Sequence, residues 1–426
     1  MQLITSVFLV AVALSVAVHV WLLGRQARHM RAQAQCVPAE FQGFVTPEEH
    51  ARACHYSVAR FPAAIAETVA DALILLALTV GGGIALIGTS TRALTGGSGV
   101  VAGTAHVLGV LVLVALASLP FTAYRTFVLE ERFGFNRTTW TTFAADLLKS
   151  VVLGAVLGGA LVAMLLWIMD RAGERWWLLA WLAWLVFSLL LSWAWPRWLA
   201  PLFNQFKPLQ DAPLRGRIEA LLARCGFQSS GVFVMDGSRR SAHGNAYFTG
   251  LGRQKRIVFF DTLLSSLNPG QVESVLAHEL GHFRLRHIPQ RLVLSAALSL
   301  AGFALLGWLA QQSWFYTGLG VPEASNAAAL LLFVLVVPVF TFLGGPLLAA
   351  WSRRHEYEAD EFAAVHADGR DLADALVRLY RDNATALEPD PLYSRFFDSH
   401  PAPVDRIRRL RARLAAVSGP LALPDT

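Results

Sequence analysis

The sequence predicts an all-α, multi-pass membrane protein, and three observations carry this prediction. Of the 426 residues, 55% are hydrophobic and only 15% are charged, which exceeds the apolar share of an ordinary soluble domain. The chain contains 13 Trp, whose amphipathic rings favour the headgroup boundary. About seven apolar runs are long enough to cross roughly 30 Å of hydrocarbon as helices. A large soluble enzyme with a very apolar core fits these observations poorly.

The predicted spans cover residues 4–23, 63–88, 100–122, 149–169, 176–196, 290–312 and 326–350. The first span lacks a basic residue before it and an obvious cleavage site after it, so we expect a retained helix and not a signal peptide. Glycines interrupt two spans, at 81–83 and 158–159. Glycine in a membrane helix more often marks close helix packing than a break, so both spans are predicted to continue.

Basic residues in the loops predict the orientation, since Lys and Arg accumulate on the cytoplasmic side. The loops after spans one, three and five are basic, as is the tail that begins at Arg353, whereas 313–325 has no basic residue. The N-terminus is therefore predicted to lie outside. The long segment 197–290 and the C-terminal tail then lie together in the cytoplasm, where their residues can form one site.

Charge and cysteine content exclude other classes. The net charge of +6 comes from basic residues spread over many loops, so no nucleic-acid partner is predicted. Cys36, Cys54 and Cys225 lack the close spacing of a disulfide framework or a zinc knuckle.

A HExxH motif, His278-Glu279-Leu280-Gly281-His282, lies in the long segment, within a stretch of helical apolar spacing. Residues four apart on a helix project from one face, so His278 and His282 can both bind one tetrahedral metal ion. Glu279 can then take a proton from a water that the metal activates and pass it to the leaving amine. The motif predicts a metallopeptidase.

The third ligand is expected on another helix, because a catalytic zinc takes three protein ligands and keeps one position open. Candidates follow the last span, where Glu356, Glu358 and Glu361 lie in a polar helical continuation. Glu356 and Asp360 share a face, so one could bind metal while the other hydrogen-bonds a ligating imidazole. Spacing alone does not choose among the three glutamates.

The chain resembles the Ste24-type integral-membrane zinc metalloproteases, also called CAAX prenyl protease 1, of peptidase family M48. The resemblance covers most of the chain through separate motifs in the same order. These are FVLEERFGFNRT (127–138), PLFN (201–204), NAYFTG (245–250), KRIVFFDTLL (255–264), HELGH (278–282), EYEAD (356–360), and SHP (399–401) followed by Arg406.

The resemblance assigns roles to individual residues. It implies that Glu356 is the third zinc ligand and Asp360 its supporting carboxylate. It implies that His400 stabilises the oxyanion and that Arg406 supports the site, where negative charge develops on the carbonyl oxygen. Asn245 would open an extended edge that binds the substrate backbone as an added strand.

The resemblance also implies the architecture. Seven helices would enclose a chamber, and a zincin-like domain with a small β element would cover it on the cytoplasmic side. The chain then divides into helices one to five (1–196), the zincin-like domain (197–289), helices six and seven (290–350) and the C-terminal helices that complete the site (351–426).

The resemblance further implies one zinc ion per chain and a peptide or protein substrate, including chains with a prenylated C-terminus. The Arg-, Ala- and Trp-rich composition favours a bacterial homologue in the inner membrane, with a role in membrane-protein quality control. His287, beside a basic edge, is expected to be an exposed histidine outside the site.

The alternative function is a transporter, or an inactive scaffold with a structural zinc. Polar residues that could line an ion path are scarce in the spans, and no matched pair of broken helices indicates a transporter repeat. All the chemical groups of a peptidase are present, which favours an active enzyme.

Overall fold

The computed structural model describes residues 2–97, 99–249 and 256–417. Within these ranges seven helices are long and apolar enough to cross a membrane, so the predicted multi-pass all-α class and the number of spans are confirmed. They cover Leu3–Gln33, Pro47–Leu78, Val100–Glu130, Trp140–Arg171, Gly173–Phe203, His287–Leu309 and Asn326–His366. Six of the helices exceed the predicted runs by several residues at one end or both, because polar turns extend the helices beyond their apolar parts.

The membrane part is built from α1 (Leu3–Gln33), α2 (Pro47–Leu78), α3 (Gly83–Thr95), α4 (Val100–Tyr124), α5 (Trp140–Leu153), α6 (Gly159–Arg171), α7 (Trp176–Ala194), α8 (Ala200–Phe203), α12 (His287–Leu309), α13 (Ser313–Thr317), α14 (Asn326–Thr341) and the first half of α15 (Gly345–His366). The remaining helices are α9 (Ala212–Arg224), α10 (Asp261–Ser266), α11 (Pro269–Arg284), α16 (Gly369–Asp382), α17 (Pro391–Phe397) and α18 (Pro403–Val417).

The two glycine clusters behave differently. At 154–158 a wider π-helical turn joins α5 to α6, so this span continues as predicted. At 79–82 the helix breaks, and the prediction of an unbroken second span is wrong. At the break Gly82 adopts a left-handed conformation, and Gly320 packs so closely on the backbone of Thr79 that there is no room for a Cβ.

A small sheet accompanies the polar helices, as expected. It contains β1 (Phe206–Pro208), β2 (Val232–Met235), β3 (Ala246–Thr249) and β4 (Arg256–Phe260), in the order β1-β2-β4-β3. β4 pairs parallel with β2 and antiparallel with β3, so β3 forms one edge of this sheet. Gly250, Lys255 and the end of the C-terminal segment lie outside the described residues.

Helix α11 is the centre of the polar domain. Asn268 and Gln271 form a capping box at its start, with Pro269 in the first turn, where proline costs no hydrogen bond. Val272, Leu276 and Leu280 bury one face of the helix against the core beneath the sheet. This burial, at about 25 cal/mol per Å² of apolar area, fixes the rotation of α11 and therefore the direction of its histidines.

Candidate active site

The site forms where α11 crosses α15. Gly281 permits the crossing, since a Cβ at this position would lie 3.0 Å from the Ala359 Cα and 3.2 Å from its carbonyl oxygen. The close approach brings the carboxylate of Glu356, one turn before Ala359, opposite the two histidines of the motif. A residue with a side chain at position 281 would push α11 and α15 apart.

Three side chains converge on one point. Glu356 Oε2 lies 3.4 Å from His278 Nε2, and Glu356 Oε1 lies 3.4 Å from His282 Nε2. One ligand atom from each of the three residues falls within 4.8 Å of the others. Sequence spacing had left Glu358 and Glu361 open as well. In the structure Glu358 lies beside His287 and Glu361 pairs with Arg413, away from this point.

The donor set fits zinc. Ligand atoms at about 2.0–2.1 Å from a tetrahedral zinc lie about 3.3 Å from one another. Each histidine Nε2 is at a similar distance, 3.4 Å, from one oxygen of Glu356, His278 from Oε2 and His282 from Oε1. Glu356 is buried, yet its Oε2 accepts no hydrogen bond of acceptable geometry from the described residues, although His400 Nδ1 lies 2.8 Å away. Arg406 Nη1, 3.8 Å away, is too distant to hydrogen-bond this oxygen, and a metal ion at this point would satisfy it.

A buried ion pair supports His278. Arg406, only 5% exposed, donates from Nε and Nη2 to the two oxygens of Asp360 at 2.6 and 2.7 Å. Asp360 Oδ1 in turn lies 2.9 Å from His278 Nδ1. Arg406 Nη2 also lies 3.2 Å from His278 Nδ1. A carboxylate next to Nδ1 orients the imidazole so that Nε2 is directed at the metal position.

The two histidines differ electrostatically. Burial and the charge of Arg406 lower the pKa of His278, but the adjacent carboxylates of Asp360 and Glu356 outweigh both and raise it to about 9. Burial and the neighbouring His278 lower the pKa of His282 to about 3. His282 is therefore neutral and ready to bind, whereas a metal ion must displace a proton from His278.

Glu279 faces a cavity of about 950 Å³ beside the three converging side chains. Its pKa is raised by burial, an effect that the charge of His278 opposes and that of Glu356 reinforces. A carboxylate that binds a proton more tightly is a better general base when ionised.

His400 and Asn245 line the same cavity. The side chain of His400 is 65% exposed, and the loop between α17 and α18 carries it. Asn245 immediately precedes the edge strand β3, and its carbonyl oxygen accepts from the Phe260 amide at 3.0 Å. All the predicted site residues therefore lie in one region.

The sequence analysis did not identify His243, a polar side chain on the cavity wall. The His243 ring stacks on Phe135 at 4.4 Å, and its nitrogens lie 3.5 Å from Glu130 Oε2 and 3.3 Å from Asn383 Oδ1. Glu130 and Phe135 both belong to the motif at 127–138. The motif could therefore have drawn attention to Glu130 and Phe135, but nothing in the sequence shows that His243 lies next to them.

The expectation that His287 is exposed is wrong, since this side chain is only 1% exposed. Helix α11 ends at Arg284, the chain reverses at Arg286 in a left-handed conformation, and α12 begins at His287. Pro289 in the first turn of α12 was a usable signal for this helix start. The reversal turns His287 back toward His282.

The fold and the site together define the chain as a membrane-embedded metallopeptidase. Residues 26–205 match the family model described as CAAX prenyl protease N-terminal, five membrane helices, and residues 208–414 match Peptidase family M48. Over 303 residues the chain is 35% identical to a CAAX prenyl protease 1 homolog of Arabidopsis thaliana, covering 71% of this chain and 72% of that protein. The chain therefore belongs to the CAAX prenyl protease 1 family of M48 peptidases.

One further relative and one solved structure support the same family. The chain is 36% identical over 307 residues to a probable CAAX prenyl protease 1 of Schizosaccharomyces pombe, covering 71% of this chain but 64% of that protein. The crystal structure of S. mikatae Ste24p superposes with a TM-score of 0.89 at 29% identity, covering 96% of this chain and 99% of that one. These similarities confirm the predicted family, the fold class and the metalloprotease class.

Proposed function

We propose that this protein is a zinc-dependent endopeptidase in which His278, His282 and Glu356 hold one zinc ion. The observation that carries the proposal is the convergence of these three side chains next to Glu279 on a cavity wall, with each histidine Nε2 3.4 Å from one oxygen of Glu356. A tetrahedral set of two imidazoles and one carboxylate favours zinc among the divalent metals. Bound zinc would polarise the scissile carbonyl and lower the pKa of the attacking water.

Glu279 moves the proton in this proposal. Its carboxylate takes a proton from the attacking water and delivers it to the leaving amine, since it faces the cavity where the peptide binds. Asp360 and Arg406 keep His278 in its binding orientation. His400, on the exposed side of the cavity, donates to the carbonyl oxygen as negative charge develops there.

The substrate class proposed is a peptide or protein bound in extended form along β3. An edge strand offers main-chain donors and acceptors to an added strand, and Asn245 begins that edge beside the site. A second cavity of about 1200 Å³ lies between α1, α2, α4, α12, α14 and α15, and its lining is mostly apolar. Such a cavity suits a prenyl chain, so prenylated C-termini are included among the proposed substrates.

The cellular setting is also a proposal. Basic loops after spans one, three and five support a cytoplasmic site and C-terminus, with the N-terminus outside. We assign the protein to a bacterial inner membrane, with membrane-protein quality control as its role. The divisions at residues 196, 289 and 350 stay predictions, and the fifth helix extends beyond the first of them, to Phe203.

The test uses purified protein, metal analysis and two peptides, one with a farnesylated CaaX end and one unmodified. We expect about one zinc per chain and cleavage by the wild type but not by Glu279→Ala. The ratio of the two cleavage rates reports whether the lipid is recognised. Folded protein that holds no zinc and cleaves neither peptide would favour the scaffold or transporter instead.

A further inference from the structure

We propose that His287 and Glu358 position the metal ligand His282 through a chain of two hydrogen bonds. The inference rests on the proposed function, in which Nε2 of His282 binds the metal. It gives His282 a support of its own, separate from the Asp360–Arg406 pair that holds His278.

The contacts form a continuous series. His282 Nδ1 lies 3.0 Å from His287 Nδ1, and His287 Nε2 lies 3.0 Å from Glu358 Oε2. The second oxygen of Glu358 accepts from Arg354 Nε at 2.8 Å. Each nitrogen of His287 thus has one partner, and each oxygen of Glu358 has a different donor.

Donor and acceptor roles follow from the metal. When His282 binds through Nε2, its Nδ1 carries the hydrogen and must donate. His287 Nδ1 must then accept, so the hydrogen of this neutral ring is on Nε2, where Glu358 receives it. The carboxylate selects the His287 tautomer, and that tautomer in turn fixes the His282 ring.

A structural histidine would not require this arrangement. His287 is buried and stacks on His355 with centroids 4.0 Å apart and planes inclined by 6°. Phenylalanine could supply the same stacking. Two buried ring nitrogens cost free energy unless both are hydrogen-bonded, so their presence here indicates use of the nitrogens themselves.

A second metal site is the competing explanation, because ligand atoms of His287, His355 and Glu358 also lie within 4.8 Å of one another. The geometry opposes it. Imidazole lone pairs lie in the ring plane, and the two rings are nearly parallel, so their lone pairs do not converge on one ion. Both nitrogens of His287 are also already engaged.

The test measures zinc affinity of the purified full chain by competition with a chromophoric chelator, together with the visible spectrum of the cobalt(II)-loaded protein. His287→Phe keeps the stacked ring and loses both nitrogens, and we expect zinc affinity to fall about 10- to 100-fold with a changed cobalt spectrum. His287→Gln can still accept from His282 and donate to Glu358, so it should recover most of the affinity.

Two further variants keep the test decisive. Glu358→Ala removes the far acceptor at a partly exposed position, where folding is least at risk, and should give an intermediate loss of affinity. His50→Phe replaces an equally buried histidine that hydrogen-bonds the Gln33 carbonyl in the helical hairpin of α1 and α2, and should leave affinity unchanged.

The outcomes separate the two proposals. Wild-type affinity in His287→Phe, or a Gln variant no better than Phe, would overturn the positioning role while the proposed peptidase stands. A second zinc in the wild type that disappears in His287→Phe would show that the cluster is a metal site and would also overturn it. A wild type without zinc would remove the proposed function and this inference with it.

Discussion

Gly281 of α11 packs directly on the backbone of Ala359 in α15, where an added Cβ would lie 3.0 Å from the Ala359 Cα. A Cβ there would also lie 3.2 Å from the Ala359 carbonyl oxygen and 3.2 Å from the Phe362 Cβ, and neither backbone atoms nor a Cβ can move aside by a change of rotamer. The neighbouring residues are His282 on one helix and Asp360 on the other, and Glu356 lies one turn away. The separation of the two helices therefore sets the distance between the histidines and the carboxylate.

Gly281→Ala should therefore weaken metal binding, because the helices must separate by a few tenths of an ångström next to the site. We expect lower zinc affinity by chelator competition and a lower thermal midpoint. Gly216→Ala in α9 is the control, since no described atom lies within 4 Å of a Cβ there. That variant should be neutral or stabilising by up to about 1 kcal/mol. Equal zinc affinity in both variants would contradict the role of the crossing.

The site was predictable from the sequence where its geometry is local. His278 and His282 share a helix, so their spacing alone puts both on one face. Glu356 lies 74 residues beyond His282, and only the family resemblance distinguished it from Glu358 and Glu361. The structure separates them because the rotation of α15 against α11 directs Glu356 at the histidines.

The fold was predictable where composition decides it. Apolar runs predicted the spans, but at the break after Leu78 the backbone contacts Gly320, from a segment more than 200 residues away, and local sequence does not show such a contact. The burial of His287 similarly depends on a left-handed turn at Arg286, a conformation that arginine rarely adopts. Pro289 indicates that a helix starts here, but it does not indicate the direction in which the chain turns.

Glu279→Gln should slow hydrolysis strongly while zinc stays bound, because the amide keeps the shape of the side chain but cannot act as the general base. We expect kcat to fall by about 10²- to 10⁴-fold. Peptide cleavage and zinc content, measured on the same preparation, check this. Loss of zinc from the variant would instead indicate that Glu279 binds the metal.

Glu356→Ala should lose zinc and activity together, since it removes one of three ligands. Glu361→Ala is the matched control on the same helix, because Glu361 is exposed and pairs with Arg413. Metal analysis after dialysis against a weak chelator should show full occupancy in the control and little in Glu356→Ala. Unchanged occupancy in Glu356→Ala would require another third ligand.

Arg406→Leu should destabilise the protein, because it leaves the Asp360 carboxylate buried without its cation. Breaking such a pair typically costs about 3–5 kcal/mol. The exposed Arg408, which pairs with Glu40 two residues along α18, provides the control, and Arg408→Leu should not measurably change the thermal midpoint. Replacing Asp360 by Asn together with Arg406 by Leu removes both charges and should recover part of the loss. A double variant no more stable than Arg406→Leu would show that the guanidinium acts through packing and not through its charge.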